Sequence, residues 1–370
     1  MFPLKYNFMF YFCSRYQMEA ESKYMQRCLD LAKLGEGHTA PNPMVGCVIV
    51  HDGKVIGEGF HRQCGGPHAE VHALRSVADP NLLARSTLYV NLEPCAHYGK
   101  TPPCSDLIVA KKIPRVVIGT IDPFSEVAGK GIEKLRQAGC EVFLGMLHKE
   151  CRELNRRFFA FHEKNRPYII LKWAQTQDGF IDQDPEKRPT GKPVWITDEV
   201  ARVVVHRQRA CEGAIFIGTE TALKDNPSLT LREWYGRQPL RIVADRVNRL
   251  PDSLTLFDGA APTRVLGEET MGGHPHSSII PSQSDNRIDD LLRFLHGQSI
   301  QSLIVEGGAI TLQDFIDRDL WDEAHVYTGK ITFGSGIRAP RFKESNPLTE
   351  QFPRCVLHVY RNHRSTNRQS

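Results

Sequence analysis

The stretch from Pro67 to Cys104 constrains this chain more than any other. It holds Pro67-His68-Ala69-Glu70-Val71-His72, then Leu92-Glu93-Pro94-Cys95-Ala96-His97-Tyr98-Gly99-Lys100-Thr101-Pro102-Pro103-Cys104. Two thiolates and one imidazole, from Cys95, Cys104 and His68, make a tight three-ligand site for Zn2+. Three protein ligands leave the fourth tetrahedral position to water, which is the catalytic arrangement. Zinc brings the pKa of such a water near neutral, so that it serves as a nucleophile. Glu70, two residues after His68, shares its helical turn without being forced onto the metal, and can carry a proton from the water to a leaving amine. Any fold for this chain must therefore bring the two ligand-bearing turns together.

His-x-Glu followed by Pro-Cys and a second Cys is the signature of zinc deaminases that act on nucleobases. That signature has two residues between its cysteines, and here eight separate Cys95 from Cys104. Other ligands lie close in sequence, namely His61, Cys64, His72 and His97, and a buried cysteine is often only a small hydrophobe. A set built on Cys64 and His68 leaves Pro94-Cys95 without a purpose.

A chain of 370 residues predicts about two domains. With 47 basic and 43 acidic residues the formal net charge is only +4, and no basic stripe of the kind polyanion binders carry is evident. The ten irregularly spaced cysteines fit reduced thiols in a cytoplasmic enzyme better than a disulfide framework. Residues 1–17 are aromatic-rich, with one lysine ahead of an apolar run far too short for a membrane span. They read as a disordered extension, or as a sign that translation starts at Met18.

From Glu21, the spacing of Met25, Cys28, Leu29, Ala32 and Leu34 predicts a helix stopped at Gly35 and Gly37. Val45 to Val50 reads as a buried strand, turned at Asp52-Gly53 onto Lys54 to Gly59. Asn42 is either a turn cap or a hydrogen-bonding group for a bound base, and His61 follows at the mouth of the same site. His68 to Ser76 predicts a helix and Thr87 to Asn91 a strand that delivers Pro94-Cys95. Helix 106–110, strand 115–119, helix 131–138 and strand 140–144 follow. Strands alternating with helices after an opening hairpin predict a three-layer α/β/α domain.

The runs Pro41-Asn42-Pro43-x-Val45-Gly46-Cys47-Val48-Ile49-Val50, His68-Ala69-Glu70-Val71-His72-Ala73-Leu74 and Glu93-Pro94-Cys95 through Thr101-Pro102-Pro103-Cys104 resemble the deaminase half of the bifunctional riboflavin-biosynthesis deaminase/reductase family. The eight-residue cysteine gap belongs to that family's pattern. The match continues through Asp122-Pro123, Val127-Ala128-Gly129-Lys130-Gly131 and Asn155. The resemblance implies a cytidine-deaminase-like domain over residues 18–163, with His68, Cys95 and Cys104 as zinc ligands and Glu70 as proton shuttle. Its implied substrate is 2,5-diamino-6-(5-phosphoribosylamino)pyrimidin-4-one, which loses its 2-amino group as ammonia.

Glu163-Lys164-Asn165-Arg166-Pro167 reads as a boundary, opening a second domain over residues 167–370. Tyr168 to Ala174, Ala214 to Gly218, Arg241 to Ala244 and Leu303 to Val305 predict core strands. Thr197 is the expected N-cap of a helix from Val200 to Ala210, and Thr311 to Ile316 of another helix follows Glu306-Gly307-Gly308-Ala309. Glycines at such a strand-to-helix turn let backbone N–H groups approach a phosphate. Residues 252–300, with Gly272-Gly273-His274-Pro275-His276, read only as irregular loops.

Lys172-x-Ala174-x-Thr176-x-Asp178-Gly179, Trp195-Ile196-Thr197, Arg209-Ala210, Gly218-x-x-Thr221-x-Leu223-x-Asp225-Asn226-Pro227-x-Leu229-Thr230-x-Arg232 and Val305-Glu306-Gly307-Gly308 resemble the same family's reductase half, whose fold is similar to dihydrofolate reductase. There NADPH gives a hydride to C1 of the ring-opened ribose. The resemblance implies that Ala174, Trp195, Thr221, Asp225, Gly307 and Gly308 lie along the cofactor. It implies that Arg209, Leu229, Arg232 and Glu306 meet the substrate; Asn42 and His61 are expected to do so in the deaminase from their place in the chain. At least one of the two arginines should meet the substrate's phosphate, since the guanidinium fork matches that group. Asp225 could steer a proton as hydride arrives. Arg246 suits either a 2′-phosphate or a surface salt bridge. Pro193-Val194 stands where many members have Ser, and Thr176 replaces the usual Ser with its hydroxyl retained.

The expected partner is therefore a phosphorylated pyrimidine ribosyl small molecule, with no nucleic acid and no membrane; a homo-oligomer is left open. Two other classes compete. A deaminase acting on a nucleic-acid or free nucleoside base is opposed by the absent basic stripe and the second domain. A non-catalytic zinc-stabilised binding protein is opposed by the three-ligand set beside Glu70, since structural zinc normally has four protein ligands.

Overall fold

The computed structural model of the protein describes residues 20–98, 102–124, 128–184, 186, 194–269, 273–282 and 286–362. The expectations for residues 1–17 and for Pro193 fall outside the described residues. The chain divides into two units, Met1–Glu163 and Lys164–Ser370.

In the first unit, helix α1 (residues 20–33) precedes the hairpin β1 (Gly46–His51) and β2 (Lys54–Phe60). Then come α2 (Ala69–Arg75), a short 3-10 turn (Pro80–Arg85), β3 (Thr87–Leu92), α3 (Cys104–Ala110), β4 (Arg115–Thr120), α4 (Lys130–Gln137) and β5 (Glu141–Leu144). Helices α5 (His148–Leu154) and α6 (Arg156–Lys164) close it. The sheet order is β2-β1-β3-β4-β5. The first two pairings are antiparallel and β3, β4 and β5 run parallel.

The apolar run in β1 is continuous because both of its faces are covered. Cys47 and Ile49 pack with Ala69 and Ala73 of α2, Ile108 of α3 and Leu135 of α4. Val48 and Val50 alternate to the other face, against Met25, Cys28 and Leu29 of α1 and Cys151 of α5. The result is the expected three-layer architecture. Helix α3 starts at Cys104 rather than Asp106, which puts the second cysteine on a helix N-terminus.

The second unit is built on a nine-stranded sheet. In chain order it contains β6 (Tyr168–Gln175), β7 (Phe180–Asp182), α7 (Glu199–Cys211), β8 (Ala214–Ile217), α8 (Thr219–Asp225) and β9 (Leu240–Ala244). A 3-10 turn (Thr255–Phe257), β10 (Thr263–Gly267), β11 (Ser277–Pro281), α9 (Arg287–Gly297), β12 (Ser302–Val305) and α10 (Ala309–Asp317) follow. The last elements are β13 (Glu323–Gly329), β14 (Ile337–Arg338), β15 (Leu348–Gln351) and β16 (Cys355–Arg361). The strand order is β11-β10-β9-β8-β12-β6-β13-β16-β15, and β7 pairs with β14 in a small separate sheet. The strands from β11 to β13 are mutually parallel, and β16 and β15 complete the sheet antiparallel. No helix among the described residues is long and apolar enough to cross a membrane.

Two expectations need correction here. Asp198, not Thr197, caps α7: its carboxylate accepts from Ala201 N at 2.9 Å and also from Arg354 N at 2.8 Å. A carboxylate with two backbone donors to satisfy outcompetes a hydroxyl. Residues 252–300 are not irregular loops but hold β10, β11 and α9. Helix α9 buries Ile288, Leu291, Leu292 and Leu295 in the core with Leu266 and Ile280. The flanking Gly, Pro and His residues obscured short strands that only their parallel neighbours stabilise.

Candidate active sites

In the first unit His68 is the N-cap residue of α2, Cys95 follows the end of β3, and Cys104 opens α3. His68 Nδ1 lies 3.6 Å from Cys95 Sγ and 3.4 Å from Cys104 Sγ. The ligand atoms of all three residues fall within 4.8 Å of one another. Tetrahedral zinc, with Zn–S of about 2.3 Å and Zn–N of about 2.0–2.1 Å, requires N···S separations of about 3.5 Å. The donor set and its spacing therefore fit zinc, with Nδ1 as the imidazole ligand. Among the described residues no other His, Cys, Asp or Glu group has this arrangement; Cys64 is exposed.

Glu70 lies in the first turn of α2, only 3% exposed. Burial pushes its carboxyl above the ordinary range, and the Cys104 thiol is within hydrogen-bonding reach. Asn42 Nδ2 donates to His61 Nε2 at 3.0 Å, while His61 Nδ1 donates to Pro67 O at 3.0 Å. This pattern assigns the proton to Nδ1, and burial lowers the His61 pKa, which favours the neutral ring. The His61 ring stands edge-on to His68, with centroids 5.5 Å apart. Asn42 and His61 thus meet each other beside His68, in line with their expected place at one site.

Two residues here escaped the reading of the sequence, and a third, Asp122, was read there only as part of a motif. Asp122, beyond β4, is pushed up to about 6 by burial. Phe124 stands between His97 and His162, with centroids 6.4 and 5.2 Å away. His162 comes from α6, a helix with no distinctive motif.

In the second unit, the connections leaving β8 and β12 diverge: β8 leads through α8 to β9 on one side, β12 through α10 to β13 on the other. Such a switch point is where ligands bind in open parallel sheets. Gly218 and Gly307, which follow these two strands, are joined by Gly218 N donating to Gly307 O at 3.0 Å. Gly307 has φ 126, and a Cβ on Gly308 would lie 3.2 Å from Thr221 Oγ1. Gly308 is the N-cap of α10 and no side chain caps that helix. A helix start without a side-chain cap beside two glycines is what a phosphate of a dinucleotide needs, so the cradle fits NADPH.

Beside it, Glu306 receives Arg209 bidentately, Nε to Oε1 at 2.8 Å and Nη2 to Oε2 at 2.7 Å. Lys172 Nζ lies 3.6 Å from Glu306 Oε2. Burial opposes the charge on Glu306, but Arg209 and Lys172 outweigh it and hold the carboxyl at about 2. Burial also lowers the Lys172 pKa. Lys172 was not singled out as a site residue from sequence; a charged residue within an otherwise apolar strand was the available signal.

Arg209 is buried and its fork is spent on Glu306, whereas the Arg232 side chain is exposed and its backbone N donates to His206 Nδ1 at 3.2 Å. Leu229 is buried with φ 51, and Asp225 ends α8. Ala174 lies on β6 opposite Tyr327. Trp195, 54% exposed, precedes α7 with the Arg202 guanidinium 4.6 Å over its ring. Thr176 Oγ1 donates to Asp178 Oδ1 at 2.5 Å, so this hydroxyl is absorbed by its own turn. Arg246 is exposed.

Fold and sites together define a two-part enzyme: a zinc-dependent deaminase of the cytidine deaminase class joined to a dihydrofolate-reductase-like reductase. Residues 18–120 match the cytidine and deoxycytidylate deaminase zinc-binding region, and residues 167–359 match the RibD C-terminal domain. The riboflavin biosynthesis protein RibD of Aquifex aeolicus is 39% identical over 86% of this chain and 89% of its own length. That of Escherichia coli is 36% identical over 85% and 89%. A crystal structure from Thermotoga maritima, of a diaminohydroxyphosphoribosylaminopyrimidine deaminase/5-amino-6-(5-phosphoribosylamino)uracil reductase, superposes with a TM-score of 0.82 at 38% identity, covering 93% of this chain and 99% of that one. Acinetobacter baumannii RibD gives 0.80 at 32% identity over the same shares. This chain belongs to the RibD family, the bifunctional deaminases and reductases of riboflavin biosynthesis, with zinc and NADPH as cofactors.

Proposed function

We propose that the first unit removes the 2-amino group of 2,5-diamino-6-(5-phosphoribosylamino)pyrimidin-4-one as ammonia. The second then reduces the ribose of the resulting 5-amino-6-(5-phosphoribosylamino)uracil to the ribityl chain. The observation that carries the reading is the His68, Cys95 and Cys104 cluster with Glu70 buried against it. His68, Cys95 and Cys104 hold zinc, which when bound supplies the Lewis acidity that makes water a nucleophile near neutral pH. Glu70 takes a proton from the attacking water and delivers it to the departing amine nitrogen. Asn42 and His61 line the approach to the base.

In the second unit the turn at Gly307 and Gly308, with Thr221, cradles a phosphate of NADPH, which supplies the hydride. Ala174, Trp195 and Asp225 flank the cofactor. Arg232, whose guanidinium is exposed, meets the substrate phosphate, while Arg209 orients Glu306 and Leu229 shapes the substrate side. Lys172, with its depressed pKa, is suited to give a proton to the ribose ring oxygen as the C1–O bond breaks, which opens the ring for reduction at C1. Nine free cysteines among the described residues fit the reducing cytoplasm.

Mass spectrometry of products from zinc-loaded protein and the diaminopyrimidinone, with and without NADPH, tests the reading. Ammonia loss without NADPH and gain of two hydrogens only with it are expected. Hydrogens gained by the diamino compound before deamination would refute the order.

A further inference from the structure

We infer that Glu93 positions the zinc ligand Cys95 by tying the Pro94-Cys95 turn to the N-terminus of α4. The inference rests on His68, Cys95 and Cys104 being the zinc ligands, as proposed above.

Cys95 lies just past the end of β3, where sheet pairing no longer dictates the direction of its side chain. Two sets of contacts take over. On one side, Cys95 O accepts from Ser105 N at 3.1 Å and from Ser105 Oγ at 3.0 Å, and Cys95 Sγ accepts from Cys104 N at 3.3 Å. The first turn of α3 thus grips the residue itself.

On the other side stands Glu93, only 4% exposed. Its Oε1 accepts from Gly131 N at 2.9 Å and Ile132 N at 3.2 Å. Its Oε2 accepts from Gly129 N at 2.9 Å and Asp122 N at 3.3 Å. A carboxylate has about four lone-pair sites, and these donors fill them. Helix α4 begins after Gly129, which offers no side-chain cap. Glu93 therefore supplies, from another strand, both the acceptors and the negative charge that this helix start lacks.

The backbone between Glu93 and Cys95 is held by the same helix. A Cβ on Gly131 would lie 2.1 Å from Pro94 O, so α4 packs directly on that carbonyl, and the ring of Pro94 restricts φ. Cys95 is consequently suspended between two helix starts, α3 through Ser105 and α4 through Glu93. Because Asp122 N is one of the four donors, the same carboxylate also sets the start of the segment that brings Phe124 to His97.

Replacing Glu93 by Gln keeps the size but leaves one acceptor oxygen and turns an NH2 group toward two N–H donors. The turn must then move, and only Pro94 separates it from the ligand. Partners that orient a metal ligand in this way typically change metal affinity by about 10–100-fold.

The test is competition for zinc between the full-length holoenzyme and a chromophoric chelator. Three proteins are compared: wild type, Glu93→Gln, and Glu21→Gln, which cuts the 2.9 Å ion pair to Arg115 at the start of β4, away from the site. Glu93→Gln should release zinc at about 10–100-fold lower chelator concentration, with Glu21→Gln equal to wild type. NADPH-dependent reduction of the deaminated substrate should be the same in all three. Glu93→Asp, which keeps both oxygens but withdraws them by one methylene, should fall between, and it decides the matter if Glu93→Gln does not accumulate folded. Wild-type zinc affinity in the Glu93 variants, or a loss no larger than in Glu21→Gln, would overturn the inference. A wild-type protein that takes up no zinc would overturn the ligand assignment as well.

Discussion

Replacing Glu306 by Gln removes the carboxylate on which Arg209 and Lys172 both converge. Its folded-state pKa of about 2, against an ordinary 4.5, corresponds to about 3 kcal/mol of preference for the charged form at 1.36 kcal/mol per unit. Truncating one partner of a buried pair independently costs about 3–5 kcal/mol, because the other charge is left buried and uncompensated. The reductase unit spans Lys164–Ser370, and for a domain of that size 1 kcal/mol shifts Tm by about 2–4 °C. Glu306→Gln should therefore lower the melting temperature of that unit by roughly 6–20 °C at neutral pH. A depressed carboxylate pKa contributes stability that is complete above the unfolded value and lost as pH falls through the folded value. The gap between wild type and variant should thus be full above about pH 5 and close as pH approaches about 2. Calorimetry across that range reads it directly. A variant melting within about 2 °C of wild type at pH 7, or a gap that does not shrink in acid, would refute the reasoning.

Three further outcomes are expected. Glu70→Gln should slow deamination by about 10²–10⁴-fold while metal analysis finds zinc retained and reduction of the deaminated substrate proceeds unchanged. Gly307→Ala places a side chain at φ 126, at a strain of about 1–3 kcal/mol. Isothermal titration should show NADPH bound at least about tenfold more weakly, with deamination intact. Arg241 is fully buried and donates to Ser228 O at 3.0 Å, Ala261 O at 2.8 Å and Thr263 Oγ1 at 3.0 Å. Arg241→Met orphans those acceptors, and should cost the reductase unit about 3 kcal/mol or more in denaturant unfolding; a loss below about 1 kcal/mol would show that water replaces the guanidinium.

The parts of the fold visible in the sequence were those with local periodicity. Cys47 to Val50 is apolar on both faces, and it became a strand covered on both. Met25, Cys28 and Leu29 lie three to four residues apart, and they became the buried stripe of α1. The second half of the reductase unit was opaque for a physical reason. Ser277 to Pro281 becomes a strand because β10 pairs with it in parallel, a partner nothing nearby in sequence announces. His206 is similar: its Nδ1 matters only because Arg232 N comes to rest 3.2 Å away, and burial then holds its pKa down at about 4.

Among the site residues, His68, Glu70, Cys95 and Cys104 could be named from residue type and spacing, since few side chains bind zinc through nitrogen and sulfur or sit beside it as a proton carrier. The sequence by itself thus supplied the candidate ligand set, the two-part organisation and the α/β character of both parts, all of which follow from short-range pattern. Which imidazole nitrogen faces the sulfurs, that Arg209 is spent on Glu306 while Arg232 is exposed, and that Lys172 joins that pair were decided only by tertiary structure. These depend on distances between residues far apart in the chain and on burial, which sets charge states that the same side chains would not have in water.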